Sequence, residues 1–253
     1  MIIDYPKIKD IPELIKLWKE AFGDSDKFLK TFFSTAFSAK RSRHITVDGI
    51  TAAALYWFDC SYNGNNIAYV YAVATKKAYR GQGLCRILIN DTHTILKSRG
   101  YAGAILVPGS KELFDFYNRL GYETCAYVNE LKCIKSGKKL KVSKIGKTEY
   151  AKLRRQYLPS GSVVQEGENL DFLERYASFY AGHDFVLATQ GEKDTMHGIE
   201  LLGNISSAPD IVGTLGYKSG SFRVPGQEIP FAMYYHFEKS DTTVPTYFGL
   251  AFD

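Results

Sequence analysis

Cysteine is scarce, four residues in 253. Cys60, Cys85, Cys125 and Cys133 stand in no metal-ligand spacing, so no metal is expected. His183, His197 and His236 lie too far apart to add one. Long hydrophobic runs are lacking too. No stretch approaches the ~18 uncharged apolar residues of a membrane-spanning helix, so no membrane is expected as a partner. The opening MIIDYPKIKD places charges where a signal peptide needs its apolar stretch. The expected location is therefore cytoplasmic, with the thiols reduced. No G-x-S-x-G elbow for a Ser-His-Asp hydrolase appears. Charge of one sign is not in large excess either: 32 basic against 27 acidic residues leave +5. That suits an anionic ligand such as a phosphate-bearing cofactor and falls short of a nucleic-acid footprint.

What remains is an ordinary globular composition, 45% hydrophobic and 23% charged. Its length corresponds to about 1.7 domains at ~150 residues each. Aromatics are abundant at 14%. They fit either a strand-rich core or a cavity lined by tyrosines.

The first half reads as strand, two helices and an antiparallel meander. Asp10 and Pro12 open a helix that Gly23 ends, and Ser25–Asp26 starts a second. Asp48–Gly49 and the Asn63–Asn66 stretch are turn signals between apolar runs. Lys76–Gly83 is a tight polar loop after a strand. Leu84, Ile87, Leu88, Asp91, Ile95 and Leu96 then make a helix, and Tyr101–Pro108 a strand. Such a strand–helix–strand unit gives a locally parallel pair. Lys111–Leu120 is a helix and Tyr122–Ile134 a strand. Seven lysines between Leu131 and Lys147 mark either a solvated edge strand with linker or an anion-binding strip. In the second half, helices are expected at Thr148–Leu158, Leu170–Tyr180 and near Pro209–Leu215. Strands are expected at Leu140–Ile145, Phe185–Thr189, Gly198–Leu202, Ser221–Val224, Phe231–Phe237 and Thr246–Phe252. The order of elements loosely repeats the first half.

The chemistry concentrates in YVYAVATKKAYRGQGLCRILI, Tyr69 to Ile89, and ELFDFYNRLGYE, Glu112 to Glu123. A strand entering a glycine loop that opens a helix makes an anion site. The loop amides point at the ligand, and the helix dipole adds about half a positive charge there. Together these segments resemble the acetyl-CoA-binding core of the GNAT N-acetyltransferase superfamily, whose loop pattern Gln/Arg-x-x-Gly-x-Gly/Ala is met by Arg80, Gly83 and, as a departure, Cys85. The opening Leu17–Phe33 is similar to bacterial members near the enhanced-intracellular-survival acetyltransferases.

The resemblance implies a GNAT fold over residues 1–135, an α/β domain with a mixed, mostly antiparallel sheet flanked by helices. A lysine-rich junction follows at 136–146. Residues 147–253 then form a smaller α/β domain, a degenerate second copy of the fold, with Phe222, Tyr234 and Tyr235 available to wall a substrate cleft. It also implies an acetyl-CoA cosubstrate. Val73, Ala74 and Thr75 hold the pantetheine arm by their backbone, and Arg80, Gly81, Gln82, Gly83, Leu84, Cys85 and Arg86 hold the pyrophosphate. Ser110 stands where many members carry asparagine, and Tyr117 protonates the departing thiolate. The general base is not singled out. Asp59, His44 and Asp115 are nearby in sequence, and the carboxylate of Asp253 is a further candidate. The implied activity is direct acetyl transfer to a primary amine of a small molecule or peptide. A CoA-binding sensor without turnover is the alternative, and an RNA-associated acetyltransferase a weaker third. Acceptor and oligomeric state, a homodimer included, stay open.

Overall fold

The structure, a computed structural model, describes residues 1–238 and 243–252. The chain divides into two compact units, Met1–Glu123 with Met233–Thr243, and Thr124–Ala232 with Val244–Asp253. Among the described residues no helix is long and apolar enough to cross a membrane.

The first unit runs β1 (Ile2–Asp4), α1 (Ile11–Phe22), α2 (Asp26–Thr35), β2 (Ser42–Val47), β3 (Ile50–Tyr62), β4 (Asn65–Thr75), α3 (Leu84–Ser98), β5 (Gly103–Leu106) and α4 (Lys111–Asn118). Local chemistry sets these limits. Pro12 lies in the first turn of α1, and Gly23 ends it in the left-handed conformation. The Ser25 hydroxyl accepts the Phe28 amide at the start of α2. Asp48–Gly49 and Asn63–Gly64 both take positive φ, the geometry of two-residue hairpins. β1 to β4 pair antiparallel in sequence order. β5 returns through α3 to lie parallel to β4. Met233–His236 then adds antiparallel to β5.

β3 is buried on almost every residue because helices cover both of its faces. Ala54 meets Leu14 and Leu17 of α1. Its neighbours Ala53 and Leu55 point the other way, into a core with Leu84, Leu88 and Leu96 of α3. That second core holds one polar pair, His93 Nε2 and the Tyr122 hydroxyl at 2.7 Å, with the Tyr235 ring 4.3 Å from the imidazole. Burial pushes His93 down to about 4. Its folded pKa thus lies below the ~6.5 of an unfolded histidine. Nothing is lost above pH 6.5, whereas between pH 6.5 and 4 the unfolded chain alone takes the proton. The expected loss reaches about 3 kcal/mol by pH 4. His93→Gln keeps a hydrogen-bonding group and cannot titrate, so its urea stability should fall less steeply over that range. Parallel curves would remove His93 as the cause.

The second unit runs β6 (Glu123–Ile134), β7 (Ser143–Ile145), α5 (Lys147–Tyr157), α6 (Glu168–Leu173), β8 (Ser178–Ala181), β9 (Phe185–Glu192), β10 (Thr195–Gly203), α7 (Ala208–Thr214), β11 (Ser219–Pro225) and β12 (Ile229–His236). β7 to β10 pair antiparallel in order. β11 lies parallel to β10 after the α7 crossover, and β6 adds antiparallel to β11. This is the strand order and direction of the first unit.

Several expectations change. The strand after α4 contributes its length to the second unit, while the end of β12 belongs to the first, so the units part near residue 123 rather than 135. The lysine-rich stretch is no free linker. The Lys135 and Ser136 amides donate to the Lys218 and Pro209 carbonyls, and Lys139 Nζ donates to the Gly213 carbonyl. The helix expected over Leu170–Tyr180 stops at Leu173. Ser178–Ala181 instead buries Phe179 and Ala181 alternately as β8. Thr246–Phe252 is not a strand, since its only ladder contact among the described residues is the single bridge Ser162↔Tyr247.

Candidate active site

The site grows from the point where β4 leaves β5. Their parallel pairing covers Ile67–Tyr69 against Gly103–Ile105 and goes no further, although β4 continues to Thr75. From Val70 onward β4 keeps β3 on one side. On the other, among the described residues, no strand pairs with its backbone amides and carbonyls. A register shift in the β3–β4 pair and the positive φ of Ala72, rare for a residue with a side chain, twist the strand at this opening. Val73 and Thr75 are half-buried beside it, and Ala74 is buried against α1.

The loop after β4 is fixed by three bonds. The Lys76 amide donates to the Ala52 carbonyl, the Lys77 amide to Glu20 Oε1 at 2.6 Å, and Arg80 Nε to the Thr75 carbonyl at 3.0 Å. Gly81 and Gly83 both have φ +76, and a Cβ built on either meets nothing within 4 Å. Gly83 is the N-cap of α3 and supplies no side chain to cap it. The first amides of a 15-residue helix, those of Leu84, Cys85 and Arg86, therefore have no intrahelical partner and face the glycine loop. Arg80, Gln82 and Arg86 are exposed around them, and Leu84 is buried as the helix's first core anchor.

Cys85 is half-buried in this first turn and packs against the core that holds Tyr117. Burial pushes its thiol up to about 11, so it stays protonated at neutral pH. Tyr117 is 6% exposed on α4, with its ring 5.7 Å from Tyr122. Burial first, and the neighbouring Cys85 second, raise its hydroxyl well above the ordinary phenol range. It is a neutral proton donor at any working pH. Among the described residues no hydrogen bond occupies the Tyr117 hydroxyl. Ser110 is the exposed N-cap of α4, and its hydroxyl beside Glu112 holds that carboxyl below its ordinary pKa.

The base candidates fare differently. Asp59 accepts from the Tyr101 hydroxyl and pairs with Arg41. His44 is buried on β2 with burial lowering its pKa. Asp115 is exposed on α4. Asp253 lies outside the described residues. Of the rings expected to wall a cleft, Phe222 is core of the second unit, while Tyr234 and Tyr235 belong to the first. Glu20 and Ala72, which shape the loop and the opening, have no signal in the sequence. Glu20 is 57 positions from the amide it holds.

The fold matches that of solved GCN5-related N-acetyltransferases. Residues 3–125 match the family model described as Acetyltransferase (GNAT) domain. The structure superposes on a GCN5-related N-acetyltransferase from Anabaena variabilis with TM-score 0.70, 14% identity, and coverage of 92% of this chain and 72% of that one. Eis1 from Mycobacterium abscessus gives 0.68, 10%, 93% and 74%. A putative acetyltransferase from Pyrococcus horikoshii gives 0.67 and 14%, covering 99% of this chain and 94% of that one. No curated protein matches the sequence.

Proposed function

We propose that the chain is an N-acetyltransferase that moves an acetyl group from acetyl-CoA directly to a primary amine of a small molecule or peptide, both substrates being bound at once. The observation that carries this reading is that Val73 on the open side of β4, Cys85 in the glycine-capped first turn of α3 and Tyr117 on α4 all pack in one core. The thioester supplies the acetyl group. The amides of Gly81 to Arg86, with Arg80 and Gln82 alongside, take the pyrophosphate, and Ser110 adds a hydroxyl. Val73, Ala74 and Thr75 pair with the pantetheine arm as a further strand pairs, and one amide there polarises the thioester carbonyl. The amine nitrogen attacks that carbonyl, the C–N bond forms and the C–S bond breaks. Tyr117 gives its proton to the leaving sulfur, and the amine's surplus proton passes to water. A phenol above pKa ~10 is a weaker acid than a thiol near ~8.5, so it serves the departing thiolate only through being positioned beside it.

The second unit is read as a degenerate copy. Its strand order supports this, as does the lack of an Arg-x-x-Gly-x-Gly loop between β10 and α7. A CoA-binding module without turnover is the second reading. It is favoured by Cys85 in the loop and by the engagement of Asp59 elsewhere.

Calorimetry with acetyl-CoA, desulfo-CoA and ATP separates the possibilities. One equivalent of each CoA ligand and no ATP is the expected result, and absence of CoA binding would overturn both readings. Tyr117→Phe should then lower kcat ~100-fold in an amine screen while leaving the acetyl-CoA Kd within twofold. An unchanged kcat would take Tyr117 out of the mechanism, and no turnover with any amine would favour the sensor.

A further inference from the structure

The second unit repeats the opening of the first. β10 pairs with β11 from Thr195 to Gly198 only, then runs on to Gly203 beside β9 alone. A register shift between Gly198 and Glu200 stands where the shift in the β3–β4 pair stands in the first unit. The two openings differ in what lies against them. Val73 and Thr75 are half-buried, whereas Glu200, Leu201 and Leu202 are completely buried.

What lies there is the segment Thr246–Phe252. Arg223 on β11 donates from one nitrogen, Nη1, to the Ile199 carbonyl at the bulge and to the Gly249 carbonyl at 3.1 Å, joining the segment to the parting point. Gly249 itself lies against Glu200, and a Cβ on it would fall 1.8 Å from Glu200 Oε1. The Tyr247 hydroxyl donates to the same oxygen. Behind the segment, buried Gln165 accepts the Leu250 amide and donates to the Leu250 carbonyl, as a paired strand does. The Val163 amide donates to the Tyr247 carbonyl. Tyr247, Phe248, Leu250, Ala251 and Phe252 are all buried. Backbone polar groups satisfied by the host are how a bound peptide is held.

We propose that the segment Tyr247–Phe252 is the resident occupant of the second unit's cleft, closing it to an acyl-CoA arm. The contrast with an open first unit rests on the acyl-CoA reading given above. The occupancy itself does not.

Hydrogen exchange on the full chain tests it. The amides of Glu200–Gly203 and of Leu250 should be strongly protected in the native protein. Gly249→Ala should speed exchange in both stretches at least tenfold, because Glu200 is pinned and cannot yield to the added methyl. Arg223→Gln, which removes the shared donor without adding bulk, should do the same if the alanine variant fails to fold. Acetyl-CoA should bind the native chain with one equivalent and bind the variants with a Kd within twofold of native. Two equivalents bound to the native chain, or unchanged exchange at Glu200–Gly203 in both variants, would overturn the occupancy. No acetyl-CoA binding alongside the expected exchange pattern would remove the enzymatic reading and leave the occupancy standing.

Discussion

Gly83→Val should weaken acetyl-CoA binding at least ~100-fold while leaving the protein folded. Two effects act together. At φ +76 the backbone of Gly83 occupies the left-handed region, where a β-branched side chain is strained by ~1–2 kcal/mol or more. That strain either shifts the loop or frays the first turn of α3, and both misplace the amides of Leu84 to Arg86. If the backbone instead holds, the valine methyls enter space ahead of the helix end, where a Cβ at this position has no neighbour within 4 Å. A phosphate there needs N–H contacts near ~2.9 Å, which an intervening isopropyl group prevents. Stability changes less, because Gly83 is exposed and packs against nothing. Calorimetry alongside a urea melt reads the two effects apart. Binding within tenfold of native would exclude this loop as the phosphate cradle.

Much of that loop is legible in the sequence because its physics is local. Glycines that cap a helix, an Asp-Gly turn and a serine that caps its own helix act within a few residues of themselves. Asp48–Gly49, Ser25 and Gly83 accordingly stand where the spacing puts them. The parallel pair around α3 is legible for the same reason, since the crossover is short. What escapes is chosen at long range. Nothing local in β6 or in the Met233–His236 stretch says that the first pairs with β11 and the second with β5. Ser178–Ala181 continues a helical pattern in sequence and becomes a strand because β9 waits beside it. Arg154 is the sharpest case. On α5 the spacing marks Tyr150, Leu153 and Tyr157 as the apolar face, yet Arg154 is only 1% exposed, since its partner lies 46 residues away.

That partner sets the second large effect. Glu200→Gln should destabilise the chain by about 3–5 kcal/mol, the cost of leaving a buried charge without its counter-ion. Arg154 reaches Glu200 with Nε at 2.6 Å and Nη2 at 2.9 Å. Tyr150 donates to Oε2 at 2.9 Å, and Tyr247 to Oε1. Burial works against the Arg154 charge, and Glu200 more than offsets it, holding the guanidinium firmly protonated. The glutamine is nearly the same shape, so packing is not the cause of the loss. Its amide nitrogen, however, turns two hydrogens toward donors that had an acceptor, so at least one of Arg154, Tyr150 and Tyr247 is left unpaired. The double variant Arg154→Met with Glu200→Gln should regain most of the lost stability, because no uncompensated ion remains. Urea unfolding of the two singles and the double reads the coupling directly. A loss under ~1 kcal/mol in Glu200→Gln would mean that water reaches the pair and that its four-way bonding does not hold Tyr247 in place. A double variant no better than the singles would assign the loss to the tyrosines rather than to the charge.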